Sequence, residues 1–174
     1  MTAAEHAILS SARPMDHQNQ VHPQNDAKWM RQALLLAQQA QAEDEVPVGA
    51  VVVYQGQVVG MGRNRSRVDA DPTAHAEIVA LREAGKALNN YRLEGCELFA
   101  TIEPCAMCAG ALVHARISRL IYGADDPKAG AVHSVLQVLN HPQLNHRVEI
   151  TGGVLAAECS ELLQSFFQSR RGRV

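Results

Sequence analysis

An α/β fold, with a mixed and mainly parallel five-stranded sheet covered by helices on both faces, is what this 174-residue sequence predicts. Three observations carry that expectation. A hairpin signal stands early in the chain: Val51-Val52-Val53-Tyr54, a Gln55-Gly56 turn, and Gln57-Val58-Val59-Gly60-Met61. After it, short apolar runs alternate with helical periodicities, which favours parallel pairing through crossovers. The composition, 47% apolar and 20% charged, is that of a globular domain, and the length suffices for one domain with its own core.

Residues 1–25 are polar, amide-rich and without periodicity, and are expected to form a disordered tail. The domain is expected over residues 26–174. Its first helix follows from Trp29, Ala33, Leu34, Leu36, Ala37 and Ala40 at helical spacing, with Asp26 placed to cap it. The hairpin comes next. Asp71-Pro72-Thr73 marks the start of a helix to about Lys86. Residues 97–101 read as a short strand. Pro104 opens a helix to about Ala115, and residues 120–123 form the next strand. A loop with a short helix near residues 134–139 leads to a strand at 148–150. A final helix runs from about Val154 to Arg170. No internal repeat is evident.

The net charge of −2 excludes a basic nucleic-acid coat, so any nucleic-acid contact must rest on local patches. No apolar run approaches the ~18–20 residues of a membrane helix, and the start of the chain lacks a basic region followed by an apolar stretch. A cytoplasmic protein is expected, in which Cys96, Cys105, Cys108 and Cys159 are thiols or metal ligands rather than disulfides. Cys96 and Cys159 lie in apolar stretches and read as small core residues.

Two segments carry chemistry: Thr73-Ala74-His75-Ala76-Glu77 and Glu103-Pro104-Cys105-Ala106-Met107-Cys108, each opening an expected helix. Cys105 and Cys108, three apart, share a helix face, and a helix N-terminus favours the thiolates a zinc ion needs. Side chains lean toward the N-terminus, so His75 and Glu77 can both reach past their helix end. Three protein ligands leave a fourth position for water, the mark of a catalytic rather than a structural zinc. Zinc brings the pKa of that water toward ~7, and Glu77 fits a proton carrier that is not a ligand. Alone, Cys-x-x-Cys also fits a redox pair or a zinc knuckle, and Cys96 or Cys159 could close a four-ligand site. Ala109 excludes haem attachment, because that motif needs His there.

The pair His-x-Glu then Pro-Cys-x-x-Cys is that of the zinc nucleobase deaminases. From about residue 26 onward, the chain resembles the bacterial tRNA-specific adenosine deaminases among the zinc-dependent cytidine/deoxycytidylate deaminases. The resemblance extends to Glu45-Val46-Pro47-Val48-Gly49-Ala50-Val51, Asp71-Pro72-Thr73-Ala74-His75-Ala76-Glu77-Ile78, Glu103 to Ala111, and Asn145-His146-Arg147-Val148-Glu149-Ile150. It implies a cytidine-deaminase-like three-layer fold and a homodimer. It also implies conversion of adenosine to inosine at the wobble position (34) of a tRNA anticodon. Zinc would be held by His75, Cys105 and Cys108, and its hydroxide would attack C6 of the flipped adenine with Glu77 shuttling protons. Asn64 would bind the purine, and Asp126 would lie beside the tRNA strand. His133 departs from the family, which carries a small residue there.

Candidate phosphate contacts are Arg63, Arg65, Arg67, Lys128, His146, Arg147, Arg170, Arg171 and Arg173, with the terminal arginines the best cluster. Of Phe166 and Phe167, one is expected in the core, and the other either meets RNA or caps the helix packing. Two other readings share parts of the pattern. A deaminase of a small base or nucleotide would use the same zinc motif. A zinc-stabilised binding module would close all four ligand positions and would not need Glu77.

Overall fold

The computed structural model describes residues 23–171; residues 1–22 of the tail expected at 1–25, and the candidate contact Arg173, lie outside the described residues, while residues 23–25 belong to the first helix rather than to a tail. Five strands form one sheet in the order β2-β1-β3-β4-β5. They are β1 (Gly49–Tyr54), β2 (Gln57–Arg63), β3 (Cys96–Ile102), β4 (Arg119–Ala124) and β5 (Glu149–Thr151). The helices are α1 (Pro23–Ala42), α2 (Ala76–Ala87), α3 (Ala106–Ala115) and α4 (Ala156–Arg171). β1 pairs antiparallel with both β2 and β3, while β3–β4 and β4–β5 are parallel. The sheet is therefore evenly mixed rather than mainly parallel, because the hairpin inserts β1 between its partner and the crossover strands.

The layers follow from the two-residue period of the strands. Ala50, Val52, Leu98, Ala100, Leu120 and Tyr122 pack on one face against Ala76, Ala80 and Leu81 of α2 and Ala109 and Leu112 of α3. Val51, Val53, Phe99 and Ile121 point the other way, onto Trp29, Met30 and Ala33 of α1 and Cys159 of α4. Covered on both faces, β1 and β4 are buried almost without interruption. Cys96 and Cys159 are buried at 0% and 4% exposure, as core residues should be. Phe166 is buried and Phe167 is 42% exposed, which divides the aromatic pair as expected.

Small residues let α2 approach the sheet closely. A β-carbon on Gly62 would collide with the carbonyl oxygen of Ala76 and lie 2.6 Å from the backbone nitrogen of Ala80. This contact fixes the first turn of α2, the turn that carries the functional side chains.

Three expectations are corrected. Asp26 is no cap: it lies inside α1, 5% exposed, and takes a bidentate pair from Arg119 at the start of β4, at 2.9 and 2.5 Å. Asp71-Pro72-Thr73 does not start α2. Asp71 Oδ1 accepts the Thr73 N–H and hydroxyl at 2.8 and 2.7 Å, closing a turn before the helix begins. The short helix near residues 134–139 is absent; that stretch is turns and irregular backbone. The N–H groups of Val135 and Leu136 go to the Gly130 carbonyl and that of Val138 to the Ala131 carbonyl, and the residues just before, 132–134, donate to the carboxylate of Glu103.

Candidate metal centre and substrate cavity

Two helix starts meet at the centre. His75 is the N-cap of α2 and Cys105 the N-cap of α3, both with extended backbone and neither using its side chain as a cap. The side chains are thus left to face each other. The α2 terminus is satisfied from outside: Asn64, just past β2, accepts the Ala76 N–H on its Oδ1 at 2.9 Å. Because that N–H can only donate, the amide oxygen is fixed toward the helix, and the NH2 remains for the cavity that Asn64 lines.

His75 Nδ1 lies 3.6 Å from the sulfur of Cys105 and 3.6 Å from that of Cys108. Ligand distances of ~2.3 Å for sulfur and ~2.0–2.1 Å for nitrogen at tetrahedral angles give an N···S edge of about 3.6 Å, so this donor set fits zinc in spacing and chemistry. Cys96 and Cys159 are not in the group, and among the described residues it holds three donors, not four. The two thiols shift oppositely. Hydrogen bonds from Cys108 and His75 bring Cys105 down to about 3. Cys108 is pushed up by its bond to Cys105 and by burial. His75 is raised, chiefly by its hydrogen bond with Cys105.

Glu77, second residue of α2, is 2% exposed and lines the same cavity. Burial pushes its carboxyl above the ordinary carboxylate range, more than the backbone hydrogen bond and His75 lower it.

The cavity, about 670 Å³, opens at the carboxyl ends of β3 and β4. One wall is the loop after β4, with Asp126 and Lys128. The other is α4, through Leu163, Gln164, Phe167 and Arg171. Asp126 Oδ1 accepts the N–H groups of Lys128 and Ala129 at 2.9 and 3.2 Å, which shapes its own loop.

The remaining basic candidates are occupied to different degrees. Arg63 pairs with Glu43 at 2.6 Å, Arg65 with Asp69 at 2.8 Å and Arg67 with Asp44 at 2.7 Å. Arg170 also pairs with Asp44 and lies 4.3 Å from the ring centre of Phe166, whereas Arg171 lines the cavity. His146 bonds the Ile117 carbonyl at 2.7 Å, and Arg147 donates to the carbonyls of Asn140, His141 and Pro142. His146 and Arg147 therefore pin the loop before β5.

Two buried acids have roles that sequence reasoning missed. Glu45, 2% exposed, accepts the N–H groups of Arg67 and Val68 at 2.6 and 2.9 Å. Glu103, 1% exposed, gathers the loop after β4. Burial would raise Glu103, but hydrogen bonds from His133, Ser134 and Asp126 outweigh it and hold the carboxyl down to about 2. For Glu103 the available signal was a lone acid in an apolar run, Thr101-Ile102-Glu103-Pro104, where an unpaired charge would be costly; Glu45, at the end of the acidic run Glu43-Asp44-Glu45, carried no such signal.

With this geometry in view, the chain matches the MafB19-like deaminase family over residues 24–171. It is 51% identical over 152 residues to a tRNA-specific adenosine deaminase of Haemophilus influenzae, covering 87% of this chain and 88% of that one. A tRNA-specific adenosine deaminase of Bacillus subtilis is 40% identical, with 84% and 91% covered. A solved structure from a study of A-to-I editing by tRNA:A34 deaminases superposes with a TM-score of 0.76 at 46% identity, covering 78% of this chain and 99% of that one. A guanine deaminase of Nitrosomonas europaea is similar at a TM-score of 0.67 and 26% identity, with 80% and 83% covered.

Proposed function

Since the chain belongs to the tRNA-specific adenosine deaminases of the MafB19-like deaminase family, we propose that it hydrolyses adenosine to inosine at the wobble position of tRNA anticodons, with one zinc ion per chain. The observation that carries the chemistry is the meeting of His75, Cys105 and Cys108 at zinc-ligand spacing on the cavity that also holds Glu77.

His75, Cys105 and Cys108 would hold the ion. Zinc there supplies the Lewis acidity that makes water nucleophilic at neutral pH. Glu77 takes the proton released as the water oxygen bonds to C6 of adenine and passes it to N1; it then takes the second proton from the new C6 hydroxyl and delivers it to the departing amine. The C6–O bond forms, the C6–N bond breaks, and ammonia leaves with the base converted to hypoxanthine. A carboxyl raised by burial suits this double role, since it holds a proton more readily than an ordinary carboxylate and can return it. The free NH2 of Asn64 is a donor for a purine ring nitrogen.

Asp126, Lys128 and Arg171 on the two walls receive the flanking nucleotides. Arg170 contributes to phosphate binding only by exchanging Asp44 for RNA. An anticodon loop offers bases already partly splayed, which lowers the cost of drawing one into the cavity. Two copies of the chain form the working enzyme, and α3 supports this reading with Met107, Ala111 and Val113 only partly covered by its own core. No helix among the described residues is long and apolar enough to cross a membrane, and the site of action is the cytoplasm, where tRNA resides.

The test is to incubate tRNA with the enzyme and sequence it for inosine at the wobble position, with Glu77→Ala as the control. The likeness to a guanine deaminase favours one rival reading. Efficient release of ammonia from free guanine, with tRNA unedited, would replace the proposal with it.

A further inference from the structure

Glu103 is a buried carboxylate that, among the described residues, no arginine or lysine neutralises; the nearest cationic candidate there, His133, is half-exposed and 3.8 Å away. Its two oxygens accept five bonds instead. Oε1 takes the N–H groups of Val132, His133 and Ser134 at 3.0, 2.8 and 3.0 Å. Oε2 takes the N–H of Asp126 at 3.0 Å and the Ser134 hydroxyl. All five donors belong to the connection after β4, from both ends of the segment 126–134. Gly130 completes the fit: any β-carbon there would overlap the Glu103 carboxylate.

The backbone on either side of Glu103 is tied to the same segment. Its own N–H donates to the Ala124 carbonyl at 2.8 Å, and Ala131 N–H donates to the Pro104 carbonyl at 2.8 Å. The next residue is Cys105, which forms a bridge with Gly130. The segment lines, through Asp126 and Lys128, the same cavity as Asn64 and His75. The segment has no helix or strand of its own to fix it. One carboxylate therefore joins the metal-ligand turn to the substrate wall.

We propose that Glu103 is a positioning residue that sets the spacing between the zinc ligand Cys105 and the substrate-holding loop 125–129. Its effect on RNA turnover rests on the tRNA deaminase reading; its effect on the loop does not. The substitution Glu103→Gln keeps the shape but exchanges one oxygen for an NH2. In the better orientation that NH2 replaces Oε2, where the Ser134 hydroxyl can turn to accept but the Asp126 N–H faces another donor. The loop is then released at its substrate end while α2, α3 and the sheet keep their contacts.

Three measurements on the zinc-loaded full chain test this: zinc content, amide hydrogen exchange, and steady-state kinetics on an anticodon stem-loop. Glu103→Gln should keep full zinc and a near-wild-type melting temperature. Exchange at Asp126 should accelerate about tenfold or more, with a smaller rise at 132–134, whose acceptor Oε1 remains, while β3 and β4 stay protected. KM for the stem-loop should rise about tenfold, with kcat changed less than about threefold. Ser134→Ala, which removes only the hydroxyl donor, should give a smaller shift in the same direction. Wild-type exchange at these amides, or loss of zinc together with global unfolding in both variants, would overturn the proposal. If the wild-type enzyme does not edit the stem-loop, the tRNA reading fails, and the exchange and zinc measurements alone decide the role of Glu103.

Discussion

Glu77 has 2% of its surface exposed and no place among the three metal donors, so its removal should separate proton transfer from metal binding. Glu77→Ala is expected to keep zinc and fold and to lose ~10²–10⁴-fold in turnover, measured by metal analysis and single-turnover kinetics. The ligands should behave in the opposite way. The double substitution Cys105→Ser, Cys108→Ser should lose the metal and lower the melting temperature, because binding free energy supports the fold. Asn64 can be divided more finely. Asn64→Asp keeps an acceptor for the Ala76 N–H but removes the NH2 donor, so stability should hold while kcat/KM falls by about tenfold or more. That His75, Cys105 and Cys108 come together was legible in the sequence, because zinc chemistry demands particular side chains at helix starts, and His75 and Cys105 are the N-caps of α2 and α3. Asp26 was not legible: its partner Arg119 is 93 residues away, and no local pattern announces it.

Each helix reaches the site through a contact with the sheet, and those contacts set the element-level expectations. Gly62→Ala should push the first turn of α2 outward, since its new methyl meets backbone of Ala76 and Ala80 that cannot turn aside. Overpacking of this kind costs ~1–3 kcal/mol, and here it should also weaken zinc binding, because His75 and Glu77 ride on the displaced turn. Thermal unfolding and zinc titration check both effects. The Arg119–Asp26 pair ties α1 to the start of β4, the end of that strand remote from the cavity. Arg119→Met should destabilise by ~3–5 kcal/mol, since it leaves Asp26 buried without its partner. A second change, Asp26→Leu, should restore part of that in denaturant unfolding and leave turnover per folded molecule unchanged. Strands and helices were legible from periodicity, because each is half or fully buried on a regular face. The helix expected near residues 134–139 is replaced by longer-range turns: Val135 and Leu136 donate their N–H groups to the Gly130 carbonyl and Val138 donates to that of Ala131, seven residues back, in a segment held by Glu103.

For the whole molecule, the cavity joins three parts of the chain that the sequence presents far apart: Asn64 to Glu77, Glu103 to Lys128, and the α4 face ending at Arg171. The first two were legible from motifs. Of the α4 wall, Arg171 and one of the Phe166–Phe167 pair stood out as RNA contacts, but Ser160, Leu163 and Gln164 did not, because they look like part of any amphipathic helix until the sheet order places α4 over the strand ends. Remote contacts along these walls should make a stem-loop a far better substrate than free adenosine, in turnover as well as in binding. Binding should also weaken as salt rises, with a modest slope, since Arg63, Arg65, Arg67 and Arg170 already have carboxylate partners. The most direct measurement of the central claim compares kcat/KM for adenosine in an anticodon stem-loop with that for free adenosine and free guanine, at fixed salt and full zinc loading. The expected result is inosine at the wobble position, formed at least about a hundredfold more efficiently in the stem-loop and abolished by Glu77→Ala. Equal or better turnover of a free base or nucleoside, with the wobble adenosine left intact, would contradict it.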